Sequence, residues 1–364
     1  MSMRQATGTD HGSNGSLLGS IIIIIIVMTV VTTTLTYSAP LALQSSSTSI
    51  SSTSSSSSAN LGITLAWGTT SSYPVNEWTS SCVASSGYIY CVGGNGGESG
   101  TTALDSVYYA QLSGSGVGPW MNTTAYPTVV TEESCVTSSN TIYCIGGSNG
   151  SSTLNQVYYA SLSGEGVGSW ESTTAYPVGL SYHSCAASDT GVYCVGGGDD
   201  LYDLSATANV YYAPFSEQGL GSWSAATDYP IAVRQQSCVA TNTDLFCFGG
   251  RDETGVYYAP ITPSGLGPWA NTTGYPFTVG ANLMSCVPVG TSVYCVAGHT
   301  GANVSSAVYG AQLSSTGVGR WVRNTDYPQP VWGASCVSTD QAIYCVGGEE
   351  TNSSITNGVA FAPV

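Results

Sequence analysis

Twelve cysteines fall into six pairs, and the members of every pair stand nine positions apart: Cys82 and Cys91, Cys135 and Cys144, Cys185 and Cys194, Cys238 and Cys247, Cys286 and Cys295, Cys336 and Cys345. None is left over. A serine precedes the first cysteine of each pair, and a Tyr or Phe precedes the second. Five copies then run into Gly-Gly, as at Gly93-Gly94 and Gly347-Gly348; one has Ala297-Gly298 instead. Each unit reads as two short apolar strands around a tight turn, in the first copy Val83-Ala84, then Ser86-Gly87, then Tyr88-Ile89-Tyr90. A two-residue loop at Ser86-Gly87 sets Cys82 directly opposite Cys91, with Cα atoms about 4.5 to 5.5 Å apart and within disulfide reach. Zinc is the rival use of paired cysteines. Its ligands converge in fours at spacings of two to four residues, whereas these pairs repeat along the chain with no partner His. Six local cross-strand disulfides are expected, each stabilising by at most about 2.5 to 3 kcal/mol through chain entropy.

The self-similarity runs past the cysteines, with a period of about 50 residues. After Gly-Gly comes a variable loop, then an apolar strand such as Val107-Tyr108-Tyr109-Ala110 or Val157-Tyr158-Tyr159-Ala160. A Gly-rich turn and a Trp strand follow (Gly118-Pro119-Trp120, Gly168-Ser169-Trp170, Gly221-Ser222-Trp223), ending at Tyr-Pro. Four short strands per unit, with Gly-Gly after the second and Trp in the fourth, resemble the kelch repeat, over residues 61–364. The resemblance implies an all-β, kelch-like β-propeller with one repeat per blade. Residues 62–74 carry an orphan fourth strand (Ala66-Trp67-Gly68, then Tyr73-Pro74), and the last unit stops after its third, Val359-Ala360-Phe361. The N-terminal strand is therefore expected to complete the final blade, closing a ring of six.

Upstream of the repeats, residues 17–37 are uncharged and include six consecutive isoleucines, Ile21 to Ile26, enough for a helix to cross a bilayer. Arg4 precedes this stretch and the next positive residue is Arg234, a bias that puts the N-terminus inside. A cleaved signal peptide is the alternative, but no clean cleavage site follows. Residues 38–60 are dominated by Ser and Thr, a composition that forms no core and reads as a stalk. The expected order is a cytoplasmic tail (1–16), a single transmembrane helix or signal anchor (17–37), a stalk (38–60) and the propeller (61–364). Disulfides persist in oxidising compartments, so the propeller is placed outside the cell.

Charge excludes one class of partner. There is no lysine, and five Arg against 21 Asp and Glu give a formal charge of −16, which argues against nucleic acid. Polarity comes from Ser, Thr, Asn, Gly and Tyr, so the surface charge changes little as carboxylates protonate, which suits an acidic habitat. Sequons at Asn122, Asn149, Asn271, Asn303 and Asn352 fall in positions expected to face solvent.

No catalytic constellation emerges. The three histidines, His11, His183 and His299, lie outside recognisable motifs, and Asp199, Asp200 and Asp203 lack the spacing of a calcium loop. No cofactor and no metal is expected. The copper chemistry known among kelch-like propellers needs a free cysteine, and all twelve are paired by spacing. The candidate ligand site comes instead from differences among repeats. Loops between third and fourth strands are near copies, such as Leu112-Ser113-Gly114 and Leu162-Ser163-Gly164, whereas the positions just before each first cysteine all differ. These are Trp78; Glu132 and Glu133; Tyr182 and His183; Arg234, Gln235 and Gln236; Asn282 and Met284; and Trp332, joined by Asn95, Asp199, Arg251, His299 and Glu349 from the loops after Gly-Gly. Variable loops on a rigid scaffold, with aromatic rings beside polar groups, point to a cell-surface module binding a glycan or a protein. The alternatives are an extracellular glycan-active enzyme and a structural lattice component; a sialidase-type propeller would show an arginine cluster and S-x-D-x-G-x-T-W boxes, which are absent.

Overall fold

The cysteine hairpins form as their spacing requires. In the first, Ser81–Ser85 pairs with Tyr88–Val92, and the turn residues Ser86 and Gly87 both have positive φ (49° and 80°), the handedness that matches the twist of the flanking strands. All six disulfides join cysteines nine apart, with Cα–Cα distances of 4.0 to 4.1 Å. That is closer than the spacing predicts. The bridged residues sit at a pair whose first-cysteine N–H points away from the hairpin, the narrow kind of antiparallel pair, and the disulfide draws it further in.

The computed structural model describes residues 63–97, 100–201, 204–301 and 303–364. The expected tail, membrane helix and stalk, residues 1–60, lie outside them. Among the described residues every regular element is a strand, and the cysteine hairpins seed six antiparallel sheets. The second sheet serves as the pattern: Ser134–Ser138, Thr141–Ile145, Val157–Ser163 and a short outer strand, Glu171–Ser172. In each such sheet the second strand is buried on both faces, so it carries a run of Ile, Val, Tyr and Cys without alternation. The last sheet takes its outer strand from the other end of the domain, with Gly68 opposite Phe361 and Thr69 opposite Ala360. Repeated four-stranded sheets of this kind are consistent with a β-propeller.

Neighbouring sheets are tied by bonds that recur at each junction. The serine before each first cysteine accepts a hydrogen bond from the cysteine N–H of the next sheet: Ser81 from Cys135, Ser134 from Cys185, Ser184 from Cys238, Ser237 from Cys286, Ser285 from Cys336, and Ser335 from Cys82, at 2.8 to 3.0 Å. The circuit closes on itself. It also satisfies the edge N–H groups that an inner strand would otherwise leave bare.

The perimeter has a matching circuit. The six tryptophans that precede the outer strands each donate an indole N–H to a carbonyl of the preceding sheet (Trp120 to Ser71, Trp170 to Thr124, Trp223 to Thr174, Trp269 to Thr227, Trp321 to Thr273, Trp67 to Thr325) at 3.0 to 3.2 Å. Each ring meets the buried Tyr of that sheet's Tyr-Pro edge-on, as Trp170 meets Tyr126 at 4.9 Å. The tryptophans are expected within the fourth strands; they lie just before them, because the ring must reach across the junction rather than stay in its own sheet.

Candidate functional site

The approach to each inner strand carries the sequence differences between repeats. Three residues before every first cysteine the backbone turns left-handed: Thr79, Glu132, Tyr182, Gln235, Leu283 and Gly333, with φ from 49° to 64°. Only glycine adopts this region freely, so five of the six are held there by their surroundings. What holds them is another closed circuit. Glu132 N–H donates to Thr79 C=O, Tyr182 to Glu132, Gln235 to Tyr182, Leu283 to Gln235, Gly333 to Leu283 and Thr79 to Gly333, at 2.9 to 3.3 Å. These six residues surround a small cavity of about 130 Å³ that also touches Glu133, His183, Gln236 and Met284.

One position earlier, the strands reach the loops after Gly-Gly. Trp78 pairs with Asn95, Asn282 with His299 and Trp332 with Glu349, while Arg251 N–H donates to Arg234 C=O at 3.0 Å. Two separate groups of sequence candidates thus meet on one face. Trp332 lies between two other rings, with centroids 5.4 Å from Trp78 and 5.1 Å from His299. The Trp78 indole donates to Gly100 C=O at 2.9 Å, and His299 Nδ1 accepts the Gly301 N–H at 3.1 Å.

One position later, side chains turn into the junctions. Glu133, His183, Gln236 and Met284 are each buried against a glycine of the preceding sheet's Gly-Gly: Gly93, Gly146, Gly196 and Gly249. A Cβ on Gly249 would stand 2.4 Å from the Ala281 carbonyl and 3.1 Å from Met284 Cε, so glycine is required there. The repeat with Ala297 in this place has Ala334 opposite it, small against small. Arg234 is also buried; its Nη1 donates to the Ser205 carbonyl. Gln235 is buried too, and its Oε1 accepts from Asn282 at 3.1 Å. Arg251 is exposed, and Glu132, Tyr182, His299, Trp78 and Trp332 are half-buried.

Sequence reasoning missed Glu77. It occupies a core position that the other repeats fill with Val130, Leu180, Val233, Ala281 and Val331, and it is fully buried between Gly94 and Gly347. Its carboxyl accepts a hydrogen bond from Ser80 N–H at 3.2 Å. Burial pushes Glu77 and Glu133 up to about 8 and pushes His183 down to about 4. The signal for Glu77 was available in the repeat alignment, as one acidic residue in an aliphatic column.

His183 and the sulfurs of Cys185 and Cys194 lie within 4.8 Å of one another, but those sulfurs are spent in a disulfide and do not act as thiolate ligands. Asp200 caps backbone, accepting from Leu204 N–H at 3.0 Å. Of the sequon asparagines, Asn122, Asn271, Asn303 and Asn352 are exposed; Asn149 is half-buried, and its Oδ1 accepts from the Ser151 and Ser152 amides.

No family model matches the chain, and no curated protein matches it. Among solved structures, that of YjhT, a kelch-type β-propeller, is similar to it with a TM-score of 0.65 and 14% identity, over 79% of this chain and 95% of that one. The likeness is one of fold. The disulfides and the propeller-like architecture together suggest an extracellular protein.

Proposed function

We propose that the chain is a six-bladed, kelch-like propeller anchored by residues 17–37, raised on the stalk of residues 38–60, and displayed outside the cell as a binding or adhesion module. Its ligand is a glycan or a protein. The kelch assignment rests on the Gly-Gly and Trp pattern and on the likeness to YjhT, and the blade count on the three bonds that recur at every junction.

One observation carries the functional reading. The left-handed turns share one backbone circuit, yet their side chains run Thr, Glu, Tyr, Gln, Leu and none. On the opposite face the turns repeat one frame, a Ser or Thr, two exposed tip residues, then Gly-Val-Gly or Gly-Leu-Gly, and only the tips differ. A uniform frame presenting unlike groups on one face is the arrangement of a recognition surface, and backbone held in a sparsely populated region clusters at such sites. Binding of the purified full-length chain to whole cells and to a glycan array, under oxidising conditions, tests this. Saturable binding that disappears on reduction of the disulfides is expected; absence of binding to either would remove the reading.

A further inference from the structure

The rim of this face holds a second cavity, of about 310 Å³, lined by His299, Asn303, Trp332, Glu349, Glu350 and Ser353. We propose that it is a subsite for one neutral pyranose unit of a glycan, an inference that rests on reading this face as the recognition surface. Its volume is at the lower end of the range for ligand pockets, room for a single sugar ring.

The wall chemistry selects that class. Trp332 neighbours Trp78 and His299 in a row whose rings are tilted by 34° and 44° rather than stacked flat, which leaves a shallow aromatic wall rather than a box. Such a wall suits the C–H face of a pyranose. Trp332 and Ser353 line the cavity beside Glu349, so an aromatic ring, a hydroxyl and a carboxylate face the same space. Gln329 and Ser354 donate to Glu350 at 3.2 and 3.3 Å, which orients that carboxylate without neutralising it. His299 takes the Gly301 N–H on Nδ1, so its proton resides on Nε2, a donor. Carboxylates that accept and an imidazole and amide that donate match the hydroxyls of a polyol. Two carboxylates against one nearby guanidinium, Arg251, which acts on His299, leave the pocket negative and repel sialylated or sulfated sugars.

The test uses the full-length chain, treated to remove any N-glycan on Asn303 or Asn352. Tryptophan fluorescence and saturation-transfer NMR would be read against maltohexaose, cellohexaose and a mannopentaose, with sialyllactose, a heparin hexasaccharide and tetramethylammonium as charged probes. Saturable binding of at least one neutral sugar is expected, weakened about ten-fold or more by Trp332→Ala and by Glu349→Gln and largely kept by Trp332→Phe. The Phe and Gln variants keep the test valid if the Ala variant fails to fold. Binding only of charged probes, or neutral-sugar binding indifferent to Glu349→Gln and to a folded Trp332→Ala, would overturn the subsite. A chain that binds cells but no neutral sugar loses this inference and keeps the recognition reading; one that binds neither loses both.

Discussion

The hydroxyl of Ser335 accepts a hydrogen bond from the backbone N–H of Cys82 at 2.9 Å, although the two residues are 253 positions apart. The same bond joins every other pair of neighbouring sheets, so the junction that closes the ring is built like the five that lie along the chain.

Removing that acceptor should therefore weaken the whole ring. Ser335→Ala leaves the Cys82 N–H without its partner and is expected to cost about 1 to 3 kcal/mol in denaturant unfolding. Ser315→Ala, at an exposed turn, should stay within about 0.5 kcal/mol of the parent. Equal effects of the two would mean that the serine circuit contributes nothing.

Non-reducing peptide mapping should recover six disulfides, each between cysteines nine apart. A bond between different repeats would break the assignment of one hairpin to one sheet. Free thiols throughout would remove the argument for an oxidising compartment.

The buried carboxyls give stability a definite pH slope. Folding raises the pKa of Glu77 and Glu133 to about 8, so the folded state holds their protons more tightly than the unfolded state does. Their contribution is favourable below the ordinary carboxylate range and is lost as pH rises toward 8. His183 acts in the opposite sense: its pKa falls to about 4, so its contribution is full above about 6.5 and is lost as pH falls toward 4. Glu77→Val restores the aliphatic residue of the other repeats and should raise the melting temperature at pH 8 by more than at pH 5. Adding Glu133→Gln should flatten the slope between those values. An unchanged slope in the double variant would refute the account of these groups.

Anchoring is open to a direct measurement. Protease added to intact cells should release a fragment beginning in or near residues 38–60, the Ser/Thr-rich segment. Recovery of the protein from the medium, trimmed near residue 39, would instead establish a secreted form.

Much of this fold was legible because its constraints are local. A nine-residue spacing sets a hairpin register within ten residues, and the orphan strand at Trp67-Gly68 completes a count that the last repeat leaves short. The role of the serine before each cysteine was not legible, because its partner lies in another repeat and the bond exists only once the ring closes. The same holds for the candidate site. Arg234, Gln235, Glu133 and His183 stand in variable positions, and the structure buries all four, since which of three successive residues faces a junction is decided by packing between sheets. Trp332, His299 and Glu349 come from different loops, and the pairing of those loops with the strand ends is what brings them together.

The central claim is that one face of the ring binds and the other supports. Two triple variants of the full-length chain compare them directly: Glu132→Ala with Tyr182→Ala and Trp332→Ala on the variable face, and Glu165→Ala with Gln218→Ala and Ser264→Ala in the exposed turns opposite. With disulfides and melting temperature checked in each, whole-cell binding should fall about ten-fold or more in the first and be unchanged in the second. Full binding by the first variant, or loss confined to the second, would contradict the account.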